Sequence, residues 1–276
     1  MVRATKQLST IRTYSIPPGN AGQHRPGGLH IGAVAGRAYN LRPGGECHGG
    51  VGWGGDTVRI GVLLAGCGLY DGSDVHETTL LLLALEEVGE RPLLIAPEID
   101  QDRTVDHLSG DEVAGERRSV LRESARLGRT ALRTLDGCRP EELEALVIPG
   151  GYGPVVNLSS GFARPGEPRR ILPSVKRFIE HFIAERKPIG LISLGEVPVR
   201  TILKQELEIP PPPHDPDRPS IDPERAIVHT PGFSVFTRMQ DVQRGIRAMV
   251  AELLRLMGER QRRPAGYGTA APPEER

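Results

Sequence analysis

Val58-Arg59-Ile60-Gly61-Val62-Leu63-Leu64-Ala65-Gly66 is an apolar run of strand length with no charged residue between Ile60 and Gly66. It does not alternate polar with apolar, as a one-sided strand would, so it reads as a strand buried on both faces at the centre of a parallel sheet. Cys67 to Asp74 follows as a loop, in which Asp71 or Ser73 is placed to cap a helix. From Val75 to Val88 the residues Leu81, Leu82, Leu85 and Val88 fall at helical spacing, and Leu93-Leu94-Ile95-Ala96-Pro97 is a second strand-like run. Strand, helix and strand in that order make the unit that joins parallel strands. The fold class is α/β.

The rest of the chain extends this pattern. Glu112 to Arg129 is charged but spaces Val113, Val120, Leu121 and Leu127 for a helix, and a short strand is expected at 131–135. Ala145-Leu146-Val147-Ile148-Pro149 is another buried strand, ending in Gly150-Gly151-Tyr152-Gly153, where glycines let backbone amides approach a ligand. Ile171 to Arg186 carries the clearest amphipathic period and leads into Lys187-Pro188-Ile189-Gly190-Leu191-Ile192-Ser193-Leu194-Gly195-Glu196. There a strand ends on a hydroxyl and turns at once into a helix, whose N-terminal amides favour developing negative charge. A nucleophile elbow has glycine two residues before and two after the nucleophile; Gly195 fits and Leu191 does not. The plainer alternative is a core strand whose last serine caps the next helix. Lys204 to Arg225 is proline-rich and reads as a loop, not a strand. Ala226 to Thr230 is the last strand, and a closing helix carries Met239, Val242, Ile246, Met249, Val250, Leu253, Leu254 and Met257 on one face.

Composition sets the outer bounds. Charge balances at 35 basic against 35 acidic residues, so no global field draws nucleic acid or an anionic membrane. No apolar run approaches a membrane span. The three cysteines are too scattered for a disulfide framework or a metal site, and no metal or cofactor is expected. Residues 1–56 hold 13 glycines and only two acids, a composition expected to be disordered, and 259–276 reads the same way. The folded domain is expected at 57–258. The acid-poor, Arg-rich leader has the charge of an organelle transit peptide, but glycine and proline crowd out the amphipathic helix such a leader needs. A cytoplasmic location is therefore expected.

The succession Ile60 to Glu77, with Gly66-Cys67-Gly68 followed by Tyr70-Asp71-Gly72-Ser73, then Ala145 to Gly153, Lys187 to Leu194, and Val228-His229-Thr230-Pro231, resembles the enhancing-lycopene-biosynthesis (ElbB-like) branch of the PfpI family, within the class I glutamine-amidotransferase-like proteins. The resemblance covers most of residues 58–257. It implies a flavodoxin-like three-layer sandwich with a mostly parallel sheet, a homodimer, and a cofactor-independent glyoxalase that converts a 2-oxoaldehyde to a 2-hydroxy acid. A small-molecule carbonyl would be the partner, with neither nucleic acid nor membrane.

By the same resemblance the nucleophile is a cysteine at the position of Ser193, a glutamate matching Glu77 hydrogen-bonds it, and amides at Gly150, Gly151 and Leu194 face the substrate oxygen. This chain departs from that pattern twice, with Ser193 for the cysteine and Gly195-Glu196 for an Ala-Pro pair. A hydroxyl needs an adjacent base where a thiol does not, and Glu196 sets a carboxylate near the oxyanion position. Weak or lost activity is therefore expected. The alternatives are a serine-dependent hydrolase using His229 or His214 as base, a glyoxalase using Cys67, and a binding or scaffold protein without catalysis. Glu77 and Ser193 are expected to lie close together at the carboxyl edge of the sheet.

Overall fold

The computed structural model describes residues 59–129, 132–160, 170–204 and 215–262. The expectations for residues 1–56 and for His214 lie outside the described residues.

Seven strands form one sheet: β1 (Ile60–Leu63), β2 (Leu93–Ala96), β3 (Leu132–Thr134), β4 (Ala145–Ile148), β5 (Ile189–Ile192), β6 (Ser220–Asp222) and β7 (Ile227–Thr230). Their order is β3-β2-β1-β4-β5-β7-β6, and every neighbouring pair is parallel except β6 with β7. The chain runs outward from β1 through β2 to β3, then returns to lay β4 on the other side of β1. Strand order reverses at that point, and the crevice beyond the carboxyl ends of β1 and β4 is where open α/β sheets bind ligands.

The unalternated strands are buried as their composition requires. Ile60 and Val62 of β1 face one core, which includes Leu81 and Leu85 of α1 (Val75–Glu87) and Val242, Ile246, Met249 and Leu253 of the closing helix, Met239–Arg262. Leu63 faces the opposite core, with Val175, Ile179 and Phe182 of the helix Pro173–Ala184. Successive side chains on a strand point to opposite faces, so each strand serves both layers. This is the α/β class that the strand and helix pattern predicts, in the three-layer arrangement that the resemblance implies. Met239, placed on the apolar stripe, is instead half exposed at the start of its helix.

Four local expectations are corrected. The helix expected from Glu112 spans only Val120–Gly128, labelled α2; the residues before it are held against 100–105 by the bridges Val105 with Glu112 and Asp100 with Ser119, and tertiary pairing overrides their helical spacing. Asp74, not Asp71 or Ser73, caps α1 by accepting from the Glu77 amide at 2.9 Å. Asp71 and Ser73 turn inward to accept from the amides of Val105 and Ala65. Ser220–Asp222, assigned to a loop, forms the antiparallel edge strand β6; three residues between Pro219 and Pro223 are too short for a periodic signal, and prolines are tolerated beside an edge. Finally, the closing helix continues through 259–262, where Gln261 donates to Glu144 at 2.8 Å. Between β4 and that helix lie α3 (Gly153–Val156), α4 (the helix Pro173–Ala184) and α5 (Glu196–Ile202), which makes the closing helix α6.

Candidate functional site

Four chain crossings at the carboxyl edge of the sheet meet around Gly150. Glu77 enters from the first turn of α1, Gly150 and Gly151 follow β4, Ser193 ends β5, and Phe233 and Ser234 lie in the turn after β7. Ser193 has a φ of +50°, a left-handed conformation that costs a residue with a Cβ of order 1–2 kcal/mol. Such strain at a strand-to-helix turn throws the side chain out of the strand and into the crevice. The turn Ser193–Gly195 that follows has no side-chain cap, so the reading of Ser193 as a helix cap does not hold. Gly195 is required here for a spatial reason: a Cβ would lie 2.1 Å from the Ile148 carbonyl oxygen.

Glu77 is 1 % exposed and bridges two crossings. Its Oε2 accepts from the Gly150 amide at 3.0 Å and its Oε1 from the Phe233 amide at 2.9 Å. Burial pushes its pKa up to about 8 and the nearby Asp74 charge adds to this, while the Phe233 and Gly150 amides pull the other way. Below that pH the carboxyl carries its proton. A Cβ on Gly150 would stand 2.4 Å from Glu77 Oε2 and 2.6 Å from Ser193 Cβ, so glutamate and serine press on the same glycine from two sides. The sequence expectation that they come together is met in that sense.

The hydrogen bond expected between them is replaced by another. The Ser193 hydroxyl pairs with the Ser234 hydroxyl, in a part-buried contact between a buried serine and an exposed one. Ser234 was missed in the sequence because Pro231-Gly232-Phe233 reads only as the end of a strand; its place just past the carboxyl end of a parallel strand was the available signal. The Gly150 amide, expected to face a substrate oxygen, is instead taken by Glu77, because a buried carboxyl beside an amide satisfies both groups. Among the described residues no acceptor meets the Gly151 amide, and the Leu194 amide belongs to the first turn of a helix, where no intrahelical acceptor exists.

The remaining candidates divide by geometry. His229 is buried, with Nε2 3.4 Å from the Ser193 carbonyl oxygen and Nδ1 3.8 Å from Glu196 Oε2. It braces the backbone of the elbow and faces the carbonyl of Ser193, not the hydroxyl. Burial lowers its pKa, against a smaller upward pull from Glu196, which keeps the ring neutral. Glu196 is held by Arg200 one turn along α5 at 2.7 Å, so its charge is compensated within its own helix. That weakens the expectation that it opposes negative charge at the turn. Cys67 is half buried; burial raises its pKa first and the Glu123 and Asp71 charges add to it, outweighing the pull of Arg126, so its thiol stays protonated. No cluster of three or more metal-ligating side chains exists among the described residues.

No model of a known protein family matches the chain. It is 30 % identical over 231 residues to the human glutamine amidotransferase-like class 1 domain-containing protein 3, mitochondrial, across 74 % of this chain and 85 % of that protein. It is 29 % identical over 230 residues to the rat ES1 protein homolog, mitochondrial, across 73 % of this chain and 85 % of that protein. Among solved structures, an isoprenoid biosynthesis protein with an amidotransferase-like domain from Ehrlichia chaffeensis superposes with a TM-score of 0.66 at 29 % identity, over 71 % of this chain and 99 % of that one. These relatives correct the expected location. Both curated proteins are named mitochondrial, which overturns the cytoplasmic assignment; the signal in the sequence is the charge of residues 1–56, six Arg or Lys against two acids, which their glycine and proline content does not cancel.

Proposed function

Because this chain belongs to the glutamine amidotransferase-like class 1 family, we propose that its crevice binds a small 2-oxoaldehyde and that Ser193 in place of a thiol leaves glyoxalase turnover at or near background. The observation that carries this is the setting of the Ser193 hydroxyl. Converting a 2-oxoaldehyde to a 2-hydroxy acid needs a nucleophile on the aldehyde carbon and a base that moves the C1 proton to C2. A serine hydroxyl attacks only when an adjacent base takes its proton. Here its partner is another hydroxyl, Ser234, which is no base at neutral pH. Glu77 is engaged by two amides and protonated below about pH 8, and His229 faces the Ser193 carbonyl. The amides of Gly151 and Leu194 remain to receive a carbonyl oxygen, which supports binding without demanding chemistry. The charge of residues 1–56, six Arg or Lys against two acids, supports import into the mitochondrion.

The competing reading is a serine hydrolase, and a fluorophosphonate probe separates the two. Mass spectrometry of the labelled protein is expected to find Ser193 unmodified under conditions that label an activated serine to completion. Stoichiometric labelling at Ser193 would replace this reading with the hydrolase.

A further inference from the structure

Along α2 every fully exposed position is an arginine. Within Val120–Gly128 and its closing residue Arg129 these are Arg122, Arg126 and Arg129, while Val120, Glu123, Ser124 and Gly128 are buried. Spacings of four and three set the three side chains in one line along the helix. The fold holds that line firmly: Ser124 Oγ accepts from the Gly66 amide at 3.0 Å, and a Cβ on Gly128 would stand 2.7 Å from Leu94 Cδ1. Exposed charges on other helices are matched by neighbours one turn away, Lys176 by Glu180 on α4 and Arg255 by Glu252 on α6. On α2 like charges stand one turn apart instead, an arrangement that lowers helix stability.

Pairing within the fold leaves part of this charge over. Arg126 Nε is 2.8 Å from Glu123 Oε2, and just before the helix Arg117 lies 3.8 Å from Asp100 and Arg118 2.7 Å from Glu116. Each of those acids is answered by one arginine. Among the described residues Arg122 and Arg129 have no ion-pair partner, so the face keeps two positive charges open to solvent. The balanced charge of the whole chain, from which no membrane partner is expected, does not describe it. We propose that α2 docks on an anionic phospholipid surface through Arg122, Arg126 and Arg129. A bound peptide is anchored by apolar or aromatic groups in pockets, and single-stranded nucleic acid by stacking on aromatic rings. Residues 117–129 contain no aromatic residue, and α2 exposes no large hydrophobic one. A convex row of guanidinium forks suits phosphates presented in a plane. None of these residues belongs to the crevice at Ser193, so the inference is independent of whether Ser193 has any chemistry.

The test is flotation of the full chain with vesicles at low salt. Binding is expected to phosphatidylcholine vesicles that contain about one-third phosphatidylglycerol, and not to phosphatidylcholine alone. Arg122→Glu combined with Arg129→Glu should lower the ratio of bound to free protein at least about thirtyfold, the scale of reversing two charges near an anionic surface. Raising the salt to about 0.5 M should release the wild type, because a contact made by exposed charges is screened. Should charge reversal impair folding, Arg122→Gln combined with Arg129→Gln remains decisive, with an expected loss of at least about fivefold. Three results would each overturn the assignment: no binding at low salt, equal binding to neutral vesicles, or binding that both double variants leave unchanged. The last would move the contact to other basic residues, such as those of 1–56. Arginine-dependent binding to a DNA duplex that is tighter than to the vesicles would replace the lipid with a nucleic acid.

Discussion

Glu77→Ala is expected to destabilise the protein by about 2–4 kcal/mol, since it strands the buried amide of Gly150, at roughly 1–3 kcal/mol, and the part-buried amide of Phe233, at about 1 kcal/mol. Against a typical total of about 5–15 kcal/mol, that approaches global unfolding. Glu77→Gln should cost less, because it keeps one acceptor and turns an amide donor toward the other backbone N–H. The cost also depends on pH, with a definite sign. Below about pH 4.5 the carboxyl is protonated in the folded and unfolded chains alike, and its full contribution is present. Between 4.5 and about 8 only the folded chain keeps the proton, so the stability it contributes falls as pH rises, by up to about 1.4 kcal/mol per pH unit. His229 acts in the opposite sense. Its lowered pKa makes stability fall as pH drops below the ordinary histidine value of 6.5. Subtracting denaturant curves of Glu77→Ala from those of the wild type isolates the glutamate, and the difference should shrink from pH 5 to pH 9. A difference that is flat or grows over that range would show that Glu77 is ionised in the folded protein.

Ser193→Cys should create the most reactive thiol in the folded domain. The substitution keeps the left-handed turn and adds a group that ionises near neutrality, next to a carboxyl that carries no charge below about pH 8 and at the start of a helix. The native thiols do not compete. Burial and neighbouring carboxylates hold Cys67 above its ordinary value, and burial pushes Cys138 up to about 11. Iodoacetamide at pH 7.5, followed by peptide mapping, should modify position 193 at least about tenfold faster than Cys67 or Cys138. That result also proves the position accessible, which gives meaning to an unlabelled Ser193 in the fluorophosphonate experiment. Methylglyoxal turnover should rise with the thiol, by a factor of order a hundred if a positioned nucleophile is what the site lacks.

The fold was legible because its central strands are apolar without alternation, a pattern that only burial on both faces explains. Ile60 to Ala65, Ala145 to Ile148 and Ile189 to Ile192 each announced themselves this way. Short or irregular pieces did not. Ser220–Asp222 has no room for a period, and residues 112–119 carry a helical spacing that their pairing with 100–105 overrides. The site was legible in part through position: the ends of β1, β4 and β5 share one edge, so Glu77, Gly150 and Ser193 had to be neighbours. Its hydrogen bonds were not. Whether the Gly150 amide meets a carboxylate or stays open, and whether Ser193 finds Glu77 or Ser234, depends on side-chain placements that spacing along the chain does not encode. The resemblance grouped Glu77, Gly150 and Ser193, which the fold does place side by side, but it paired the Ser193 side chain with Glu77 where the structure pairs it with Ser234.

The central claim is that Ser193 has no base and so does not turn over a bound 2-oxoaldehyde. Lactate formed from methylglyoxal, assayed for the wild-type chain beside Ser193→Ala and a protein-free control, tests it most directly. Wild type and Ser193→Ala are expected to be indistinguishable, both at the control rate. Lactate production by the wild type that Ser193→Ala abolishes would contradict it and make serine the working nucleophile.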